Sequence, residues 1–240
     1  MQLQGKTILL TGGTAGIGQQ LAHQLRALGA EVIVTGRSAE GLDWMRSLGF
    51  EAIAADLSIA AGAQAILDAL GEREIDVLVN NAGQGVDHDF REGPPDPDAA
   101  DDCIYANLNS PIRLIVALLD RLKARPEAAI VNVTSGLAIA PRAGSPVYCA
   151  TKAGLRSYTQ ALRAQLAGTN VRVIEALPPV VETRMTAGRA TKKMPAAECA
   201  RQIVEAIEKD RDEANVGQVK LLQLVHSISP ALARKVMLRF

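Results

Sequence analysis

Short runs of apolar residues alternate along this chain with longer stretches in which apolar residues recur at helical spacing. The short runs are apolar on both faces, which is typical of strands in a parallel sheet that helices cover on both sides. They predict strands at residues 7–11, 31–35, 51–54, 76–80, 129–133, 171–177 and 214–216. The longer stretches predict helices at residues 17–28, 38–48, 58–70, 99–123, 146–166 and 196–209.

The residues at the ends of these helices agree with the pattern. Ser38 and Ser58 are placed to accept a hydrogen bond from the first turn of the helix that follows each of them. Gly29 and Gly71 follow helices and predict where they stop. Pro146 suits a first helical turn, because proline lacks the N–H that this turn would leave unpaired.

Strands that alternate with helices predict an α/β fold, in which right-handed crossovers build a doubly wound parallel sheet. We expect a single Rossmann-type sheet of about seven strands with helices on both faces. No repeat, low-complexity tract or break in composition marks a linker. The interpretation is one domain over residues 1–240, with a lid at 180–195 and a C-terminal tail at 219–240.

Composition narrows the classes of function. The chain has 240 residues, of which 48% are hydrophobic and 3% aromatic, and its formal net charge is zero. No global field draws it to nucleic acid or anionic lipid, and aromatic platforms for stacking bases are scarce. We interpret Cys103, Cys149 and Cys199 as free thiols of a cytoplasmic protein, because neither a leader nor a membrane-spanning apolar run is found. The three histidines form no ligand cluster with the cysteines, so we expect no metal.

A glycine-rich loop, residues 11–18, follows the first predicted strand and opens the first helix. Gly12 permits a tight turn, Gly16 lets the backbone approach a pyrophosphate, and Gly18 lets helix and strand pack closely. The N–H groups at the start of the helix favour an anion, so the loop predicts a dinucleotide site. The alternative is a tight turn without a ligand. The residues that we expect to touch the dinucleotide here are Gly12, Thr14, Gly16, Ile17 and Gly18.

Polar positions after the next two strands bear on which dinucleotide binds. The second strand ends at Arg37 and Ser38, where an NAD site usually places an acidic residue that binds the ribose 2′-hydroxyl. Arg37 suits a 2′-phosphate, with Ser38 as a second donor, so NADP(H) is predicted over NAD(H). The alternative is a solvated arginine in an NAD site. Asp56, with Leu57 beside it, either accepts from the adenine amino group or caps the next helix.

Residues 80–83, Asn-Asn-Ala-Gly, end the fourth predicted strand at the sheet edge where ligands bind. Small residues here let the backbone come close to the adenosine side of the dinucleotide. Asn81, Ala82 and Gly83 are therefore assigned to the cofactor site, and an ordinary Asn/Gly turn is the alternative.

Tyr148 and Lys152 lie four residues apart in a predicted helix, which puts both side chains on one face. A cation about 4 Å from the phenol would lower its pKa from ~10 to roughly 7. A tyrosine so placed can give or take a proton at cellular pH. The alternative is a chance helix pair with a solvated lysine. Ser135 lies upstream, and its hydroxyl, aimed at the same oxygen as Tyr148, would stabilise developing charge there.

The glycine loop, the Asn-Asn-Ala-Gly run, and the serine, tyrosine and lysine just named occur in the order and at the intervals of one family. Over residues 6–183 the chain resembles the short-chain dehydrogenase/reductase family. The runs 136–152 and 173–179 are similar to its DltE-like subgroup. The resemblance implies a nicotinamide-dependent oxidoreductase that interconverts a carbonyl and an alcohol, and it suggests a homodimer or homotetramer.

The resemblance also implies roles for single residues. Tyr148 would be the general acid in carbonyl reduction, and Lys152 would lower its pKa and bind the nicotinamide ribose. Ser135 would bind the substrate oxygen, with Thr134 as a weaker alternative. Asn107 matches the family asparagine that holds a water for proton relay, in preference to the other asparagine of its motif. The residues assigned to the nicotinamide side are Pro178, Val181 and Thr183.

One position departs from the family pattern. After the sixth strand the family commonly shows Pro-Gly, whereas this chain has Pro178 and Pro179. A second proline removes an N–H and fixes φ. We expect cofactor binding to survive with an altered local geometry.

Apolar residues wall the predicted substrate pocket, which suits a small uncharged carbonyl compound. Arg142, Arg184 and Arg189 would hold an acidic substrate instead, although arginines more often face water. Small residues at 186–190 predict a mobile lid. The residues that we expect to touch substrate are Ser135, Leu137 and Pro179.

Two other segments are interpreted from composition. Residues 84–102 are acidic and proline-rich without the ligand spacing of a calcium loop, which predicts a solvated loop that leads into a helix. In the tail, Pro230 predicts a break between two short helices. The apolar tail would cover the pocket or a subunit interface, and attachment to a membrane surface is the alternative.

Two other functions compete with an oxidoreductase. A non-catalytic dinucleotide sensor or scaffold would be favoured if the serine, the tyrosine or the lysine were missing. All three are present here. Related epimerases and dehydratases typically carry an added substrate domain, for which this chain has little room.

Overall fold

The computed structural model describes residues 1–94, 96–188 and 192–239. Its strands are β1 Thr7–Leu10, β2 Glu31–Gly36, β3 Glu51–Ala54, β4 Val77–Asn80, β5 Ala128–Val133, β6 Val171–Leu177 and β7 Glu213–Asn215. Its helices are α1 Gly16–Ala27, α2 Ala39–Ser47, α3 Ala60–Leu70, α4 Pro97–Ile104, α5 Ser110–Lys123, α6 Pro146–Gln165, α7 Ala196–Glu208, α8 Val219–Ile228 and α9 Pro230–Met237.

The strands pair in parallel in a seven-stranded sheet, in the order β3-β2-β1-β4-β5-β6-β7. The register places Leu9 of β1 opposite Ile33 of β2 and Leu78 of β4. The chain therefore leaves β1 first to one side of the sheet and later, through β4, to the other. Doubly wound sheets bind ligands in the crevice at such a reversal, beyond the carboxyl ends of the strands. The predicted Rossmann-type α/β fold is confirmed.

Alternate residues of the central strands pack on opposite faces of the sheet. Ile8 and Leu10 lie in the core with α1, α2 and α7, whereas Leu9 lies in the core with α3, α5 and α6. All three side chains are fully buried, and each such burial contributes roughly 1.5–3 kcal/mol. Because both faces are covered, the strands read as continuous apolar runs.

Several predicted helix ends are confirmed. The Ser38 hydroxyl accepts from the Gly41 N–H at 3.3 Å at the start of α2. Gly71 ends α3 with φ of +51°, a conformation that suits a residue without a side chain. Pro146 is the first residue of α6.

The predicted cap at Ser58 is wrong. α3 begins at Ala60, and the capping position is held by Ile59, whose side chain makes no hydrogen bond. The Ser58 N–H instead donates to Asp56 Oδ1 at 3.0 Å, which closes a local turn before the helix starts. Asp56 is therefore not the helix cap either, and its role at the adenine stays a prediction.

The single helix predicted at 99–123 is wrong in one respect. α4 and α5 are joined by a π-helical turn, Tyr105–Asn109, through which the chain stays right-handed helical. A π turn adds a residue that apolar periodicity does not register, and such turns are frequent at functional sites. This one contains Asn107, which is fully buried.

In the acidic segment, residues 84–94 form a loop and residues 97–102 already belong to α4, so a loop leads into a helix as predicted. The Asp96 carboxylate caps α4 by accepting from the Asp98 N–H at 3.0 Å, and Asp89 pairs with Arg91. Among the residues that the structure describes, no three His, Cys, Asp or Glu side chains are grouped as metal ligands.

The tail forms α8 and α9, which meet at Pro230 as predicted. The Ser229 hydroxyl caps α9 by accepting from the Leu232 N–H at 3.3 Å. Within the described ranges no helix is long and apolar enough to cross a bilayer. Whether the outer face of the tail meets a second subunit or a membrane surface stays a prediction. Its exposed apolar side chains are Leu221, Leu224, Ile228, Leu232, Val236 and Leu238.

Candidate active site

The glycine loop between β1 and α1 is so tightly packed that three of its positions have no room for a side chain. A Cβ on Gly12, whose φ is +65°, would lie 2.8 Å from the Ala82 Cα. A Cβ on Gly13 would lie 2.7 Å from the Val34 side chain, and one on Gly18 would lie 2.1 Å from the Gly12 carbonyl oxygen. The shape of the loop therefore depends on glycine at these positions.

Asn81, which follows β4, braces this loop. Its Nδ2 donates to the carbonyls of Thr11 at 3.0 Å and Gly12 at 3.2 Å. The Thr11 hydroxyl in turn accepts from the main-chain N–H groups of Asn81 and Ala82, both at 3.0 Å. These hydrogen bonds join the ends of β1 and β4 and fix the loop without help from a ligand.

The start of α1 suits a pyrophosphate. The helix begins without a side-chain cap, so the N–H groups of its first turn have no side-chain partner. These donors and the positive end of the helix dipole favour a bound phosphate group. A Cβ on Gly16 would lie 3.0 Å from the Thr183 methyl group, Ile17 packs on the core, and Thr14 lies against Gly36.

Arg37 stands at the rim of this crevice, just beyond β2. Its side chain is exposed, with Nη1 3.3 Å from Gln84 Oε1 and 3.9 Å from Asp56 Oδ1. The Ser38 oxygen accepts the helix-capping bond and keeps its own proton for donation. Leu57 is buried, and its carbonyl accepts at 2.7 Å from the hydroxyl of the first residue of α5.

The predicted tyrosine and lysine come together at the start of α6. Lys152 is 3% exposed, and its Nζ donates to the Val133 carbonyl, at the end of β5, at 2.9 Å. The same Nζ lies 5.8 Å from the centroid of the Tyr148 ring. Burial lowers the pKa of Lys152 to about 8, and the charge of a nearby Cys103 thiolate would oppose this shift. The alternative of a solvated lysine is wrong.

Ser135 lies where the ends of β5 and β6 meet. Its Oγ accepts from the Leu137 N–H at 3.1 Å. The neighbouring Gly136 N–H donates to the Pro178 carbonyl at 2.9 Å. The Pro-Pro departure therefore leaves the Pro178 carbonyl bonded to the loop that carries Ser135.

Thr134, the alternative to Ser135, is engaged in the core. Its hydroxyl donates to Glu175 Oε1 at 2.6 Å and lies 3.2 Å from the Ala176 carbonyl. Because a buried carboxylate accepts its proton, the Thr134 hydroxyl cannot donate to a substrate, and the alternative assignment to Thr134 is wrong.

Asn107 bonds from the π turn to the loop after β4. Its Oδ1 accepts from the Gln84 N–H at 3.0 Å, and its Nδ2 donates to the Gln84 carbonyl at 2.9 Å. A Cβ on Gly83 would lie 2.7 Å from Asn107 Oδ1 and 3.4 Å from Lys152 Nζ. Glycine at this position therefore lets Asn107 and Lys152 approach the same stretch of backbone.

Three neighbours of Asn107 are missing from the residues that the sequence predicts. Besides its bonds to Gln84, its Nδ2 lies 3.2 Å from Cys103 Sγ and 3.1 Å from Thr151 Oγ1. Burial raises the pKa of the Cys103 thiol, and the charge of Lys152 opposes this shift. The four-residue spacing of Cys103 and Asn107 is a signal for their contact. Thr151 and Gln84 come from distant parts of the chain and give no such signal.

α8 lies against the loop that carries the predicted substrate contacts. A Cβ on Gly136 would lie 3.0 Å from the Val219 side chain and 3.6 Å from the Leu222 side chain. Leu137 and Pro179, on either side of this contact, are half-buried. This packing agrees with the interpretation that the tail covers the pocket.

The arginines near the pocket differ in their surroundings. Both predictions for Arg142 are wrong. It is neither available to an acidic substrate nor solvated, because its side chain is 17% exposed and its Nη2 lies 2.6 Å from Asp87 Oδ1. Arg184 is exposed. Arg189 and Ala190 lie outside the described residues.

The segment predicted as a lid, residues 180–195, is anchored near both ends. The Met194 N–H donates to the Val180 carbonyl at 2.9 Å. Thr186 is buried, and its hydroxyl donates to the Val181 carbonyl at 2.5 Å. This bond ties Thr186 to the backbone that leads into the segment, and whether the segment moves as a lid stays a prediction.

This fold and site have counterparts among known proteins. The chain matches the family described as short chain dehydrogenase over residues 6–194. It belongs to that family. Within the family it is similar to the uncharacterized oxidoreductase DltE of Bacillus subtilis, with 43% identity over 189 residues that cover 76% of this chain and 74% of the relative. The predicted likeness to the DltE-like subgroup is confirmed.

Solved structures show the same architecture with either dinucleotide bound. A short chain dehydrogenase from Burkholderia cenocepacia, in complex with NADP, is 26% identical, covers 99% of both chains and has a TM-score of 0.88. A 3-ketoacyl-(acyl-carrier-protein) reductase from Brucella melitensis, complexed with NADH, is 28% identical and has a TM-score of 0.78. That likeness covers 85% of this chain and 91% of the relative.

Proposed function

We propose that this protein interconverts the carbonyl group and the secondary alcohol of a small, apolar substrate with NADP(H). The observation that carries the proposal is the position of the buried Lys152 ammonium. Its Nζ donates to the Val133 carbonyl and lies 5.8 Å from the centroid of the Tyr148 ring. A cation at this place favours the phenolate form of Tyr148, as a tyrosine that exchanges protons near neutral pH requires.

A bound nicotinamide would supply the hydride for reduction of the carbonyl carbon and would accept it in oxidation. In reduction Tyr148 gives its phenol proton to the substrate oxygen, and in oxidation it takes that proton back. Ser135 donates a hydrogen bond to the same oxygen, which stabilises the negative charge that develops there. Lys152 stabilises the phenolate and binds the ribose hydroxyls of the cofactor.

Asn107 is assigned to the proton relay. Its side chain holds both the N–H and the carbonyl of Gln84, and its Oδ1 and Lys152 Nζ flank Gly83. We propose that the π turn around Asn107 holds a water that passes protons between solvent and Lys152. This assignment follows the family motif and is supported by the closeness of the two side chains.

The preference for NADP(H) rests on the end of β2. Arg37 is exposed at the rim of the crevice, and no acidic residue occupies the position that would bind a ribose 2′-hydroxyl. We assign Arg37 and Ser38 to the 2′-phosphate and the glycine loop to the pyrophosphate. Solved relatives carry NADP or NADH, so the preference depends on these residues of this chain.

The experiment that tests the proposal is the Tyr148→Phe variant. We expect NADPH oxidation with a panel of ketones and quinones to fall at least ~10²-fold, because the variant has no phenol proton to give. NADPH binding, followed by the fluorescence of the reduced ring, should persist. Tyr158→Phe is the matched control, since Tyr158 lies on the same helix and packs against the core. It should keep full activity.

Two outcomes would contradict the proposal. Full activity in Tyr148→Phe would remove Tyr148 from the chemistry. Tight NADPH binding by the unaltered protein without turnover of any carbonyl compound would favour the sensor interpretation instead.

We further propose a homodimer or homotetramer, as the family resemblance suggests, and a cytoplasmic location, which the three free thiols favour. Light scattering after size-exclusion chromatography measures the number of subunits, and a monomer at micromolar concentration would contradict this proposal.

A further inference from the structure

A fully buried carboxylate lies behind the catalytic residues and has no part in the chemistry proposed above. Glu175, in β6, has an exposure of 0%. Its Oε1 accepts from the Thr134 hydroxyl at 2.6 Å, and its Oε2 accepts from Arg156 Nη1 at 2.7 Å. Arg156 Nη2 also donates to Glu213 Oε1 at 3.1 Å. Glu213 is the partner of Glu175 in the register of β6 and β7.

Each partner of Glu175 belongs to an element that carries a catalytic group. Thr134 directly precedes Ser135 beyond the end of β5. Arg156 lies one helical turn after Lys152 on α6, and therefore close to the face that Lys152 presents. The carboxylate thus joins the strand end that carries the serine to the helix that carries the tyrosine and lysine.

Stability alone is a weak reason for this arrangement. Burial raises the pKa of Glu175, while the hydrogen bond from Thr134 and the charge of Arg156 oppose this shift. Removing two charges from water costs much of what their attraction returns, and apolar residues of similar volume often stabilise as well or better. What a hydrogen-bonded ion pair adds is directional geometry.

We propose that Glu175 is a positioning residue, which joins the strand end that carries Ser135 to the helix that carries Tyr148. The proposal rests on the function proposed above. Two hydrogen-bond donors aimed at one substrate oxygen must keep their separation closely, and a displacement of about 1 Å can cost ~10²-fold in rate. Glu175 maintains that separation from within the core, because one carboxylate bonds to both elements.

The test is Glu175→Gln. Glutamine keeps the volume but carries no charge and has one acceptor oxygen instead of two, so the ion pair that ties the carboxylate to Arg156 on α6 is lost. We expect kcat to fall at least ~10-fold and the KM for NADPH to change less than ~2-fold. Glu198→Gln, in an exposed ion pair with Arg201 on α7, is the control and should have no effect.

A readout that does not need turnover separates this proposal from the proposed function. The ionisation of Tyr148 can be followed by ultraviolet difference absorbance, with the Tyr148→Phe protein in each background as the reference. If Glu175 positions α6, its replacement by glutamine moves the Tyr148 midpoint upward by at least ~0.5 pH units, since the distance to Lys152 relaxes. This shift is expected even if the carbonyl substrates tested are poor ones.

If Glu175→Gln fails to fold, Thr134→Val removes the hydroxyl contacts on the serine side, to Glu175 and to the Ala176 carbonyl, and keeps the buried ion pair. It should lower kcat at least ~3-fold per folded molecule, and the buried carboxylate oxygen left without a donor should also lower the unfolding temperature. The proposal is overturned if these variants keep an unaltered kcat and Tyr148 midpoint. It is also overturned if the loss of folded protein accounts for the whole loss of activity.

Discussion

The dinucleotide half of the crevice, between β1 and β4, and the catalytic half, between β5 and α6, differ in what fills them. In the first half, glycines let two stretches of backbone pack directly against each other. A Cβ on Gly18, for example, would lie 2.1 Å from the Gly12 carbonyl oxygen. In the second half, buried charged side chains fill the space, with Lys152 against the Val133 carbonyl and Glu175 against Arg156.

The difference teaches that the two halves respond to opposite changes. Under the proposed function, binding in the first half depends on glycines that have no side chain, so even an added methyl group should weaken it. The proposed chemistry in the second half depends on charges that burial penalises, so removing a charge should stabilise the protein while it abolishes turnover.

Lys152→Met gives the largest expected effect and tests the catalytic half. Turnover should fall at least ~10²-fold, because no cation remains beside the phenol of Tyr148. The cofactor-free protein should gain about 1–3 kcal/mol in free energy of unfolding near pH 7, because methionine fills the space without a buried charge. Urea unfolding measures the gain. Lys209→Met, an exposed lysine paired with Glu205 on α7, should change neither quantity.

The pH dependence of that gain has a defined sign. The pKa of Lys152 in the folded protein, about 8, lies below its ordinary value of 10.5. Between these values the unfolded chain binds more protons than the folded protein, so the contribution of Lys152 to stability rises with pH. The difference in free energy of unfolding between Lys152→Met and the unaltered protein should therefore be largest below pH ~8 and should disappear toward pH ~10.5. A difference that is independent of pH would contradict the buried charge.

Gly18→Ala tests the dinucleotide half. The added methyl group meets backbone that cannot move aside cheaply, at a cost of about 1–3 kcal/mol. We expect the dissociation constant for NADPH, measured by fluorescence titration, to rise roughly 10-fold or more. Gly154→Ala is the control, since its Cβ would lie 3.4 Å from the end of the Leu108 side chain. Unchanged NADPH affinity in Gly18→Ala would show that the loop tolerates a side chain.

Arg37→Asp gives the smallest expected effect, because Arg37 lies exposed at the rim of the dinucleotide half. The KM for NADPH should rise about tenfold, and the ratio of kcat/KM for NADH over NADPH should rise with it. Initial rates with the two cofactors measure the change. Arg46→Asp, at an exposed arginine of α2 paired with Asp43, should leave the ratio unaltered. A clear preference for NADH in the unaltered protein would overturn the assignment of Arg37.

Local patterns were enough to predict the sheet and the glycine loop. Strand bounds agree to within one residue, because covered strands must be apolar on both faces. Ser38, Gly71 and Pro146 predict helix ends because each acts through its own backbone neighbours. Of the site residues named from the family motif, Ser135 and Pro178 follow the carboxyl ends of β5 and β6, whereas Tyr148 and Lys152 lie on α6 and Asn107 lies in the π turn. Their roles stay predictions.

What the sequence did not reveal depends on contacts between distant residues. Arg142 pairs with Asp87, which lies 55 residues earlier in the chain, and nothing local in either segment indicates the pair. The bond from Thr134 to Glu175 likewise spans 41 residues. The cap at Ser58 failed for a nearer reason, because the Asp56 carboxylate accepts from the Ser58 amide in a local turn and α3 begins only at Ala60.

The π turn at Tyr105–Asn109 also bears on where this helix can change in length. A residue of α-helix corresponds to about 100° of rotation, so a deletion within α4 or α5 themselves would disturb the contacts of α4 with α6. A π turn closes through i→i+5 rather than i→i+4 hydrogen bonds and therefore takes up one extra residue within a single turn. Deleting one residue there would let the turn revert to α geometry with α4 and α5 still in phase, but deleting Tyr105 or Ala106 would change the four-residue spacing that brings Cys103 to Asn107. The exposed stretch at residues 91–94 has no such phase to keep, so insertions and deletions are well tolerated there.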